Sequence, residues 1–123
     1  MPAVFAGVEN ADATAGRTSY LAPVGPGLAF EAHGQLRLAD FLDGTSATIL
    51  AVEVDAKHAV AWSSPQDLEF DAHLPTRGLV LGDERLTILF ADGSVRRVEA
   101  ASVPEGFHLY FTRADGQIPP ELP

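Results

Sequence analysis

The stretch FLDGTSATILAVEVDAKHAVAW, residues 41–62, gathers Asp43, Thr45, Ser46, Glu53, Asp55 and His58 beside the only tryptophan of the chain, Trp62. Carboxylates can act as general acids and bases or bind hard cations, and an imidazole changes charge near neutral pH. A tryptophan offers a stacking face. One assembly of these residues is a pocket formed by Glu53, Asp55, His58 and Trp62, which would suit a small hydrolase or a carbohydrate-binding module. A second is a weak calcium site at Asp40 and Asp43, completed by hydroxyl and carbonyl oxygens of Thr45 and Ser46, because calcium takes about six to eight oxygen ligands. Simpler structural roles exist for the same side chains. Gly44 stops a helical turn, and Asp43 and Thr45 bond local backbone. Glu53 is solvated or paired with Arg37, Arg96 or Arg97, and Trp62 plugs the core.

Other chemistries find less material. His33, His58, His73 and His108 are scattered with no short-range pairing of the zinc type, and the chain has no cysteine. No serine sits in a glycine-flanked nucleophile elbow. The Gly/Pro-rich YLAPVGPGLAF, residues 20–30, lacks the glycine spacing and lysine of a phosphate loop. No catalytic residue, cofactor or transition-metal site is therefore assigned. A formal charge of −9 disfavours nucleic acid and anionic lipid as partners. The longest apolar runs, TILAV and TILF, are too short to span a bilayer, and no signal-type start is present. The expected setting is the cytoplasm, or else the chain is a piece of a longer protein.

These residues must be positioned by elements. With 123 residues the chain suits one domain over 1–123. Residues 1–18 read as an irregular lead-in with a short strand at Ala3 to Phe5. Pro23, Gly25, Pro26 and Gly27 argue against any regular element in 20–30. A short strand at 36–38 and one helical turn ending at Gly44 follow. Period-two alternation predicts a strand over 47–54, with Thr48, Leu50, Val52 and Val54 on one face, and another over 58–62. Ser64, Pro65 and Asp67 read as the capped start of a short helix. Asp92-Gly93 predicts a hairpin over 85–98 with both central residues at positive φ. Ser102 and Glu105 suggest a last helix, and 118–123 a frayed tail. The sum is an α+β fold: a mostly antiparallel sheet of four to six strands with two or three short helices.

The ordered series YLAPVGPGLAF, LADFLDGTSATILAVEVD, HAVAW, PQDL, LFADGSVR and FTRADGQ resembles the C-terminal part of a large planctomycete prepilin-like family of unknown function, over roughly residues 18–117. In that family a long apolar N-terminal helix precedes the domain. Its hallmark is a histidine, nine variable residues, then Asp-Gly. Asp92-Gly93 is present here, but Gly82 stands where the histidine belongs. The resemblance implies an envelope-associated, pseudopilin-like, non-catalytic module whose partners are other proteins or further copies of itself. Loop 20–30 is the contact region expected, with Tyr20, Leu28 and Phe30 as its anchors.

Overall fold

The computed structural model describes residues 16–31, 35–55, 57–79 and 85–123; the strand expected at Ala3 to Phe5 lies outside them. Its strands are β1 (Arg17–Thr18), β2 (Tyr20–Leu21), β3 (Pro23–Val24), β4 (Ile49–Glu53), β5 (Val60–Ala61), β6 (Leu68–Glu69), β7 (Arg85–Phe90) and β8 (Val95–Glu99). β4 and β7 are the centre of a four-stranded antiparallel sheet ordered β2-β4-β7-β8. Two small ribbons flank it, β1 with β5 antiparallel and β3 with β6 parallel. The helical part, among the described residues, consists of 3-10 turns at Leu38–Asp40, Thr45–Ala47, Ala100–Ser102 and Phe107–Tyr110. The fold is thus α+β and dominated by antiparallel sheet.

The register decides which side chains enter the core. Leu21 faces Val52, Val52 faces Ile88, Ile49 faces Phe90 and Leu86 faces Val98, and all of them are buried. Such cross-strand apolar neighbours are the unit from which a half-buried sheet is stabilised. Phe107 and Phe111 close the core, edge to face at 5.3 Å, and Phe70 stacks on Phe111 at 4.4 Å. A bulge between Ile49 and Ala51 breaks the strict alternation expected for 48–55. The inserted residue turns Ile49 to the same face as Val52, a side it would not reach in a regular strand.

Several local expectations are corrected. The segment 20–30 is not devoid of regular structure: Tyr20–Leu21 joins the main sheet, Pro23–Val24 pairs with β6, and Leu28 bridges Thr112. Pro23 is tolerated because a two-residue edge ribbon leaves its missing donor unneeded. No helix follows Ser64. Leu68 is instead buried and Phe70, two residues on, packs half-buried against the core, as alternate strand residues do, and their amides donate to the carbonyls of Ala22 (3.0 Å) and Val24 (3.4 Å). Residues 36–38 form no strand, because the Asp40 carboxylate accepts the Arg37 amide at 2.8 Å and curls the chain into a turn. The expected strand 58–62 shrinks to Val60–Ala61 and leaves the main sheet for β1. Trp62, at its peripheral end, is 48% exposed and is no core plug. The last helix is only the 3-10 turn Phe107–Tyr110, begun by Gly106 in the left-handed region. The tail packs rather than frays: Leu122 is buried, Arg96 donates to the carbonyls of Leu122 and Pro123, and the Tyr110 hydroxyl donates to that of Pro120.

The hairpin β7–β8 stands where expected but turns differently. Ala91, Asp92 and Gly93 form a three-residue loop in which only Gly93 has positive φ, at 86°. The Phe90 amide donates to the Ser94 carbonyl, and the Asp92 carboxylate accepts the Ser94 amide and hydroxyl. A type I turn closed by a left-handed glycine is the common three-residue solution. Nothing lies within 4 Å of a Cβ built on Gly93, so a side chain there meets only dihedral strain. Gly93→Val should therefore lower stability by about 1–3 kcal/mol and Gly93→Asn by clearly less. Denaturant unfolding of both variants checks this; equal losses would mean that φ is not the constraint.

Candidate functional site

The structure divides the residues singled out from the sequence rather than assembling them. Glu53 ends β4 and is 1% exposed, on the sheet face opposite Val52. It faces Tyr20 across the β2–β4 pair. The Tyr20 hydroxyl is pushed above its ordinary pKa of 10.0, first by burial and then by the Glu53 carboxylate, against the opposing charge of Arg97. Arg97 pairs with Thr87 one strand further on, so Tyr20, Glu53, Thr87 and Arg97 make a polar row across the sheet. Of the arginines considered as partners for Glu53, Arg37 engages Asp40 and Arg96 engages the tail, while Arg97 lies close enough to act on the Tyr20 hydroxyl. Trp62 belongs to the β1–β5 ribbon, its amide donating to the Gly16 carbonyl at 3.0 Å.

Asp55 and His58 do come together. The chain turns tightly after β4, the His58 amide donates to the Asp55 carbonyl and carboxylate, and the ring Nδ1 lies 2.6 Å from Asp55 Oδ1. Such a contact fixes the imidazole and leaves Nε2 available. His58 helps line an open depression of about 560 Å³ with Leu21, Val24, Val60, Gln66, Asp67, Leu68, Glu69 and Arg77. Neither Glu53 nor Trp62 lines it, and it contains no serine, threonine or cysteine. The four-residue pocket read from the sequence is therefore not formed.

The two aspartates considered for calcium have other tasks. Both Asp43 oxygens accept backbone amides, from Asp115 at 2.8 Å and Gly116 at 2.9 Å, tying the first half of the chain to its end. Asp40 caps its own turn through Arg37. Among the described residues no group of three or more potential metal ligands occurs, and no helix is long and apolar enough to cross a membrane.

The three residues proposed as anchors also separate. Leu28 is 1% exposed, a core residue unable to meet a partner, because the Gly25–Phe30 turn folds it inward. Tyr20 lies in the sheet, half-buried. Phe30 alone presents its ring, at 45% exposure. It is a shared wall of two depressions. One, of about 920 Å³, is lined by Ala22, Val24, Gly25, Pro26, Glu31, Asp67, Glu69 and Phe70. The other, of about 340 Å³, is lined by Ala29, Glu31, Leu36, Arg37, Leu38, Phe41 and Leu50. Leu36 and Leu38 are exposed as well. They were not singled out from the sequence. Their separation by one residue beside an aromatic-bearing loop was the available signal.

Glu31 holds this loop in place. Its carboxylate accepts the Gly27 amide at 2.9 Å and the Arg113 guanidinium at 2.7 Å, while Arg113 also donates to the Leu28 carbonyl at 2.6 Å. The Gly27 amide first, then Arg113, lowers the Glu31 pKa below its ordinary 4.5. Comparison of the chain with protein-family models, curated proteins and solved structures returns no match.

A carboxyl with a depressed folded-state pKa stabilises the protein above its unfolded pKa, and that contribution is lost as pH falls through the folded value. Glu31→Gln should therefore flatten the fall of melting temperature below about pH 4.5 and lower the melting temperature at neutral pH. An acid limb of unchanged steepness in the variant would show that the Gly27–Glu31–Arg113 contact contributes nothing to stability.

Proposed function

We propose that this chain is a non-catalytic interaction module that docks a partner polypeptide through the surface around Phe30. The supporting observation is the exposure of Phe30, Leu36 and Leu38 about adjoining depressions of largely apolar lining. Single exposed apolar residues are ordinary, but a contiguous group at a concave site is the usual mark of a docking surface. The loop that carries Phe30 is held by Glu31 and Arg113, so its anchor is preorganised and costs little entropy to immobilise. An envelope-associated, pseudopilin-like role belongs to the same proposal and rests on the ordered sequence motifs alone.

A second reading, a small hydrolase, is favoured by the Asp55–His58 contact. It stands second because the depression beside His58 offers no hydroxyl or thiol nucleophile, so His58 would have to act on water alone.

Panning an unbiased displayed-peptide library against the immobilised protein should enrich ligands, and their capture should fall at least tenfold on Phe30→Ala in a variant with unchanged circular dichroism. Capture insensitive to Phe30→Ala would remove the docking surface. Turnover of an esterase, phosphatase or glycosidase substrate that His58→Ala abolishes would replace the module by the enzyme.

A further inference from the structure

The two depressions beside Phe30 do not end there. The larger one meets the depression beside His58 at Val24, Asp67 and Glu69, which line both. The three therefore adjoin in series, from Arg77 and His58, over β3 and β6, past Phe30, to Leu36 and Leu38. Chemistry changes along this trough. Apolar groups occupy its flanks, and two exposed carboxylates, Asp67 and Glu69, occupy its middle. Neither makes a side-chain hydrogen bond or ion pair among the described residues, whereas Glu31 is already matched by Arg113.

Resting on the interaction reading above, we propose that the occupant of this trough is an extended segment of a partner protein that alternates apolar and basic residues. Successive side chains of an extended strand point to opposite sides. One set would enter the apolar wells at Val24, Phe30 and Phe70, while the other places lysine or arginine beside Asp67 and Glu69. The protein's charge of −9 draws such a segment in and repels an acidic one of the same apolar content.

The test uses three labelled octapeptides, (Lys-Val)4, (Glu-Val)4 and (Lys-Gly)4, with fluorescence anisotropy against the full chain. (Lys-Val)4 should bind at least tenfold tighter than either control, weaken at least tenfold on Asp67→Lys/Glu69→Lys, and weaken on raising salt with the unaltered protein. Equal binding of (Lys-Val)4 and (Glu-Val)4, no dependence on the two carboxylates or on salt, or no binding of any of the three would overturn the assignment. Phe30-dependent capture of uncharged library peptides alone would sink the basic segment while leaving the interaction module standing.

Discussion

The pairing of β4 with β7 is the constraint on which the remaining structure depends. Val52 and Ile88 meet there at zero exposure, and the flanking strands β2 and β8 find their places only against this pair. A chain with no disulfide draws its stability mainly from such buried apolar contact, at roughly 25 cal/mol per Å² of apolar surface removed from water. The bulge at Ile49–Ala51 adds a specific requirement. Without the extra residue Ile49 would leave the core face, and one apolar anchor of the sheet would face outward. Everything that approaches the trough is positioned from this centre. β4 seats β2, the chain passes from β2 into β3, and β3 holds both β6 and, through the Val24–Phe30 bridge, the loop carrying the exposed ring.

Where the sequence was legible, local periodicity and tertiary burial agreed. The β7–β8 hairpin is the clear case: an alternating apolar run, Asp-Gly, then a second run, and the strands lie within 85–99. Its turn was read as two residues because Asp-Gly favours that form; the Asp92 carboxylate chose otherwise by capping Ser94, which leaves only the glycine left-handed. Ser64-Pro65 looked like a helix start because capping signals are local, whereas the spacing of Leu68 and Phe70 answers to β3, more than forty residues earlier in the chain. Non-local pairing overrides local propensity in short segments. The tail looks frayed in sequence for a related reason, since its partners Arg96 and Tyr110 lie at a distance that composition does not reveal.

The candidate site was the less legible part. Asp43, Glu53, Asp55, His58 and Trp62 are near one another in sequence, but strand alternation, a tight turn and an edge ribbon send them to different places. Asp55 and His58 remain in contact. Polar residues clustered in sequence are a poor guide to a site when they straddle two strands of different sheets. Phe30 and Leu28 read alike in the sequence, yet one ring is exposed and the other side chain is buried, because the turn at Gly25 that separates them leaves no periodic trace. The trough itself is built from six separated stretches, 21–31, 36–41, Leu50, 58–60, 66–70 and Arg77, so no single window of sequence could have displayed it.

The proposed working surface is the continuous trough over β3 and β6. Amide chemical-shift mapping during titration with (Lys-Val)4 locates it. Perturbations should be confined to Val24, Phe30 and Glu31, to 66–70, and to the neighbouring ends at His58 and Leu38, with β8 and the polar row at Glu53 and Arg97 unmoved. Perturbations centred on that row, or spread evenly over the acidic surface, would mean that the trough is not where the segment docks.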